Sequence, residues 1–317
     1  MINTYVWFII SRASKYLPEG KIKENLRKVV FRYHNNLYAL NKLIRKIEFR
    51  KGVNGEVLLE LANGLKLYGL PNKPLPGAYG ISKQNFEFKY GNPKKLDKLN
   101  KINVDYFGDL LSILRTIFVE NIYEKKYALK EGDIVVDLGA NIGAFTVKAA
   151  KIVGRRGKVI AVEPEERNLR CLEKNIEING LRNCVVVPKG VWSKKSRMKF
   201  FLGPASGWHS LIEESWFLEK YKSLKKTFTE IEVDTLDNIR KELEIDKVDF
   251  IKMDIEGAEI EALKGMEETL LKNNDVKLAI EAFHVVDGKP TSETIIPQLK
   301  NLEFEVCEEG GFVYAKK

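Results

Sequence analysis

The chain has 317 residues, 44% hydrophobic and 31% charged, a globular composition with room for one large domain plus an appendage, or two small domains. Cys171, Cys184 and Cys307 are widely spaced and odd in number, which excludes a disulfide framework and favours a reducing, cytoplasmic setting; three histidines are too few for a histidine-rich metal centre. The net charge of +9 lies in the first sixth, since residues 1–51 hold 12 Lys/Arg against 3 Asp/Glu and the remainder holds 41 of each. A neutral body with a basic arm implies an anionic partner (a membrane surface, a nucleic acid or an acidic glycan) or a solvated lysine-rich helix face.

Tyr5-Val-Trp-Phe-Ile-Ile10 is an apolar block. It is too short to span a bilayer, which takes about 20 residues, and it lacks the flanks of a signal peptide. Val6, Ile9, Ile10, Ala13 and Leu17 share one helical face. That face fits an interfacial helix at the inner membrane surface, or docking on the protein's own core or on a second subunit of a homo-oligomer. Pro18-Glu-Gly20 is a break, and Lys21 to Arg50 reads as helix around Asn35-Asn36. Val53 to Leu70 alternates about Asn63-Gly64, which predicts a β-hairpin. Pro71 to Gly91 reads as a loop or lid. Tyr106 to Glu120 reads as a helix with Leu110, Leu111, Leu114 and Phe118 inward, leading straight into the first core strand.

Ile134-Val-Val136 is a β-branched run of the kind buried on both faces of a sheet. Gly139 and Gly143 frame a tight turn, a helix follows over Phe145 to Ile152, and Lys158-Val-Ile-Ala-Val162 forms a second strand ending in Glu163-Pro164. Leu169, Leu172 and Ile176 mark another helix, stopped by Asn179-Gly180. Cys184 to Val187 is a third strand with Lys189-Gly190 at its tip, and Lys199 to Leu202 is a short extra strand. Gly203 to Thr229 is a polar-aromatic insertion, followed by strand character at Ile231 to Val233. Val248 to Met253 is a fourth core strand and Val276 to Ile280 a fifth. Ile295 to Leu302 is a helix, and Phe304 to Val306 with Phe312 to Tyr314 forms a closing hairpin about Gly310-Gly311.

This alternation predicts a doubly wound, mostly parallel α/β sheet of seven strands with a C-terminal antiparallel hairpin. It divides the chain into an extension over 1–104 and a catalytic domain over 105–317. Ligands of such sheets sit at the carboxyl ends of the strands, here carrying Asp137, Glu163, Lys189, Asp254 and Glu281. A dinucleotide cradle wants G-x-G-x-x-G, but the turn Gly139-Ala-Asn-Ile-Gly143 is looser and one glycine short. Asp137 would repel a pyrophosphate and pair with an ammonium group. Glu163, 24 residues after Gly139, suits ribose hydroxyls. S-adenosyl-L-methionine, with an ammonium, a sulfonium and a ribose, satisfies both. The bland alternative is a βαβ unit whose glycines serve packing.

Two further stretches, Phe118-Val-Glu-Asn-Ile-Tyr123 and Val233-Asp-Thr-Leu-Asp237, precede Val248-Asp-Phe-Ile-Lys-Met-Asp-Ile-Glu-Gly-Ala-Glu259 and Leu263-Lys-Gly265. Together with the glycine turn they resemble the FkbM-type methyltransferases, within the Rossmann-like S-adenosylmethionine-dependent methyltransferases, over roughly residues 105–285. The resemblance implies methyl transfer, usually to a hydroxyl oxygen of a sugar or polyketide-like product.

Methyl transfer from an activated donor requires positioning and removal of a proton from the acceptor. Asp137 is the candidate partner of the cofactor ammonium, directly or through water. Gly139, Asn141 and Gly143 shape the turn, Glu163 takes the ribose, and Lys189, Gly190 and Val191 flank the adenine. Asn168 either closes the site or only starts a helix. Asp254 and Glu256 are the candidates for contact with the acceptor hydroxyl, with Asp254 also beside the cofactor, while Glu259 fits a helix cap. His284 is a candidate base or a partly exposed loop histidine. Asp254, Glu256 and Glu281 form an oxygen set that a divalent ion would suit, although the reaction class does not demand one. Tyr123, Trp208 and His209 are candidates for the acceptor pocket, and Trp192 for the core. Two competing readings are an RNA methyltransferase using the basic arm and a non-catalytic binding protein on the same fold.

Overall fold

The computed structural model describes residues 39–40, 42–49, 57–69, 104–203, 206–213 and 227–317. The Tyr5 block, the Pro18 break, most of the basic arm, the Pro71–Gly91 loop and much of the 203–229 insertion lie outside the described residues. In chain order the strands are β1 (Ile44–Phe49), β2 (Val57–Leu61), β3 (Lys66–Gly69), β4 (Ile134–Leu138), β5 (Lys158–Val162), β6 (Cys184–Val187), β7 (Gly190–Val191), β8 (Ser196–Phe201), β9 (Phe228–Asp234), β10 (Phe250–Met253), β11 (Lys277–Glu281), β12 (Val285–Val286), β13 (Lys289–Pro290), β14 (Glu305–Glu309) and β15 (Phe312–Lys316). The α-helices are α1 (Val104–Leu114), α2 (Ala144–Val153), α3 (Glu166–Ile178), α4 (Leu236–Glu242), α5 (Glu259–Lys264), α6 (Glu267–Lys272) and α7 (Ser292–Asn301).

The central sheet has seven strands in the order β14-β15-β11-β10-β4-β5-β6. β11, β10, β4, β5 and β6 run parallel; β15 and β14 close the edge antiparallel. The predicted fold is thus observed. Apolar runs such as Ile134–Leu138 and Phe250–Met253 form these strands because both faces are covered. One apolar cluster gathers Phe145, Val147 and Ala149 of α2 with Leu110 and Leu114 of α1. The opposite cluster gathers Leu236 and Ile239 of α4, Ala262 and Leu263 of α5, and Ile295 and Leu299 of α7.

Strands β1, β2 and β3 form a small sheet whose Ile44, Val57, Leu59, Leu61 and Leu67 join the first cluster. Its edge is capped by Asn175 of α3 and by Asn179 just past the end of that helix. Tyr68 N–H donates to Asn175 Oδ1 at 2.6 Å and Lys66 N–H to Asn179 Oδ1 at 2.9 Å. The amides donate back to the Tyr68 and Lys66 carbonyls at 3.1 and 2.7 Å. Paired amides thereby take the place of a fourth strand on an exposed edge.

Three expectations are corrected. Residues 44–49 are strand rather than the end of a long helix, because β2 offers an antiparallel partner from Phe49↔Val57 to Ile44↔Leu61 and strand pairing overrides local helical preference. The helix after Tyr106 turns into a π-helix at Arg115–Val119, which advances its buried position, so Ile117 is buried and Phe118 only partly so. A 3₁₀ turn at Ile122–Glu124 and a loop then separate it from β4. All three cysteines are free. Among the described residues no helix is long and apolar enough to cross a membrane.

Candidate active site

A cavity of about 670 Å³ opens at the carboxyl ends of the central strands. Its wall brings together Tyr123, Gly139, Asn141, Glu163, Asn168, Lys189, Val191, Trp208, His209, Asp254, Glu256 and Glu281.

At one end the β4–α2 turn faces the tip of β5. Gly139 has φ +75°, and a Cβ there would overlap the backbone carbonyl of Asp254; only glycine lets these loops close on each other. Asn141, at φ 53°, donates its N–H to Glu163 Oε2 at 2.8 Å. Glu163 Oε1 accepts from Glu165 N–H at 2.9 Å and from Asn168 Nδ2 at 3.4 Å. Glu163 is 4% exposed. Burial pushes its carboxyl up to about 7, against the lowering effect of these donors. Asn168 lies in the first turn of α3, where its N–H is capped by Glu165 Oε2 at 2.8 Å, and its Nδ2 donates to Ser206 O at 2.9 Å. Its Oδ1 is buried with no hydrogen-bond partner among the described residues.

Ser206 and Gly207 form a strap over this end. Asp109 on α1 holds it, accepting from Ser206 Oγ at 3.1 Å and Gly207 N–H at 3.3 Å. Burial raises the Asp109 carboxyl above its usual range.

At the other end the tips of β10 and β11 place Asp254 and Glu281 side by side. Tyr123 Oη donates to Asp254 Oδ2 at 2.7 Å and approaches Glu281 Oε2 at 3.3 Å. Its ring meets Phe145 and Phe312 edge-on at 5.5 and 5.8 Å. Burial pushes both carboxyls up. The Lys252 and His284 charges and hydrogen bonds from Glu281 and Tyr123 reverse this for Asp254, which lies below the usual range, whereas Glu281, beside the Asp254 charge, lies well above it.

Four predicted site residues do not line the cavity. Asp137 is fully buried, 3.1 Å from Lys252 Nζ, and accepts from Thr146 Oγ1 at 2.6 Å. Its charge is paired with Lys252, and it sits behind the cavity wall rather than in it. Gly143 caps α2, and a Cβ there would overlap Leu172 of α3, so this glycine serves packing. Gly190 packs on Ile231 and Val233. His284 is not a partly exposed loop residue: it is 4% exposed, with Nδ1 3.0 Å from Glu259 Oε1 and Nε2 3.4 Å from Glu256 Oε2. Burial disfavours its charge, but Glu259 and Glu256 outweigh burial and raise its pKa well above the usual imidazole range. Glu259 Oε1 also accepts from Gly257 N–H at 3.0 Å. Lys189 lines the wall, but its ammonium is bonded to Asp234 and Glu242 at 3.0 and 2.9 Å. Trp192 packs partly buried against a small apolar cluster.

Lys252, Asp109 and the Tyr123–Glu281 contact were not anticipated from sequence. The signal for Lys252 was present, since a lysine inside the apolar run Phe-Ile-Lys-Met is a buried charge that needs a partner. Its ammonium donates to Gly139 O at 2.7 Å and Leu138 O at 3.3 Å, propping the glycine turn from beneath.

A family model described as "Methyltransferase FkbM domain" matches residues 137–310. Among curated relatives, a probable cobalt-precorrin-6B C(15)-methyltransferase (decarboxylating) of Saccharolobus solfataricus is 37% identical over 65 residues, 20% of this chain and 33% of the relative. The chain thus matches about a third of that relative's length. Among solved structures, a SAM-dependent methyltransferase from Aquifex aeolicus is 21% identical, with a TM-score of 0.37, over 71% of this chain and 98% of that one. Aeropyrum pernix fibrillarin with natively bound S-adenosyl-L-methionine is 15% identical, with a TM-score of 0.36, over 86% and 98%.

Proposed function

This chain belongs to the FkbM methyltransferase family, and from that premise we propose that it methylates a hydroxyl oxygen of a sugar, a glycan or a related secondary metabolite. The methyltransferase domain favours a catalytic role with S-adenosylmethionine as methyl donor over a non-catalytic one. The cavity fits the cofactor. The orphaned Asn168 Oδ1 and the Glu163 carboxylate lie together in a wall that the Asn141 backbone and the Ser206 strap complete.

S-adenosylmethionine, when bound, supplies a methyl group already activated on a sulfonium. The protein's share is orientation and proton management. In this reading Glu163 accepts the ribose hydroxyls, Asn168 adds a second acceptor, and Gly139, Asn141 and Val191 shape the wall about the rest. Asp254 receives the acceptor hydroxyl, oriented by Tyr123, and Glu256 at the solvent side of the same cluster takes its proton outward.

The observation that carries the hydroxyl reading is the cluster of Asp254, Glu256 and Glu281, three carboxylic groups in the same cavity as Glu163. A hydrogen-bond donor with a proton to lose is the acceptor such a wall recognises. The test is incubation of the enzyme with cell extract and isotopically labelled methyl donor, followed by mass spectrometry. Label in an alkali-stable methyl ether supports the reading, and label on carbon, nitrogen or an ester overturns it. Label in RNA that disappears with high salt and on deletion of residues 1–51 would favour the nucleic-acid alternative.

A further inference from the structure

We propose that Asp254, Glu256 and His284 bind a divalent cation at the acceptor end of the cavity, and that this cation holds the acceptor oxygen. The cation's task rests on the hydroxyl reading above, but its presence does not. One ligand atom from each of the three residues lies within 4.8 Å of the other two. Even at that limit, a point equidistant from all three is about 2.8 Å from each, so shifts of under about 1 Å reach the roughly 2.1 Å of a small divalent ion. Two carboxylates and one imidazole suit manganese-like or magnesium-like ions, with water and substrate completing the shell.

The way His284 is held points to the same ligand independently. Its Nδ1 faces the Oε1 of Glu259, a carboxylate with no solvent exposure, at 3.0 Å, which leaves Nε2 directed to the Glu256 side. A buried carboxylate behind one imidazole nitrogen is how proteins fix the tautomer and aim of a metal-binding histidine.

The test is calorimetric titration of manganese(II) chloride into the chelator-stripped full-length protein, with electron paramagnetic resonance of the bound ion. Uptake of one equivalent is expected. Asp254→Asn and Glu256→Gln should abolish it. Glu259→Gln, which touches no cation, should weaken it about 10- to 100-fold, and Glu163→Gln should leave it intact. Thermal melts establish that each variant is folded. Absence of uptake by the wild-type protein, or uptake unchanged in the folded Asp254 and Glu256 variants, overturns the proposal. Because the readout is the ion itself, an acceptor that is not an alcohol leaves the site standing, and failed uptake leaves the hydroxyl reading to the labelled-methyl assay.

Discussion

The buried Glu163 carboxyl predicts that nucleoside binding releases a proton. In the free protein burial holds this group at about 7, so at neutral pH it is about half ionised. Ribose hydroxyls donate hydrogen bonds and favour the carboxylate, so binding lowers the pKa and affinity rises with pH. If only the carboxylate form binds, its population is about 0.09 at pH 6 and about 0.91 at pH 8, a gain of about tenfold in affinity, with about half a proton released per site at pH 7. The ligand of choice is 5′-methylthioadenosine, which keeps the ribose and lacks the titrating amino group of the full cofactor. Calorimetry at pH 6, 7 and 8, repeated in buffers of different ionisation enthalpy, measures both quantities. Glu163→Gln should bind more weakly at pH 8 and show a flat profile. A flat wild-type profile, or the same slope in Glu163→Gln, would refute the assignment of Glu163 to the ribose.

Tyr123→Phe removes a 2.7 Å hydrogen bond to the Asp254 carboxylate; kcat should fall about 10- to 100-fold with little change in cofactor Kd, as for loss of a bond to a charged group. Lys252→Met strands the fully buried Asp137 and should cost about 3–5 kcal/mol in denaturant unfolding, and most of that loss should be recovered when Asp137→Leu is added. Asp109→Ala frees the Ser206–Gly207 strap and should raise the cofactor KM about two- to tenfold with kcat nearly unchanged.

The sheet was legible in the sequence because buried parallel strands are written as uninterrupted β-branched runs between glycine punctuation, and the Asn63-Gly64 hairpin because one dipeptide encodes its turn. That Glu163 stands at the tip of β5, in the cavity wall, is legible because it ends an apolar run. The pairing of Asp137 is not legible because strand register sets it: β4 and β10 align Asp137 opposite Lys252, two residues 115 apart in sequence. The same holds for His284, whose contacts come from Glu256 and Glu259 on another crossover. Residues 44–49 read as helix because the pairing that makes them strand lies further along the chain, in β2. Local periodicity reports which face is buried; it carries no register.

The register also ties the two ends of the cavity to each other. Asp254 N–H donates to Leu138 O at 3.1 Å, its carbonyl sits where a Gly139 side chain would be, and Lys252 bonds Gly139 O from below. The turn proposed to shape the cofactor wall and the Asp254 carboxylate proposed to face the acceptor are therefore fixed to each other by backbone contacts and by the buried Lys252 ammonium. In-line transfer tolerates little misplacement between donor carbon and acceptor oxygen, and two adjacent parallel strands are a rigid means of holding that spacing. Gly139→Ala tests this directly: besides its strained φ it would push the Asp254 backbone outward, so turnover should collapse even at saturating cofactor, whereas a turn that served only cofactor binding would lose KM and keep kcat.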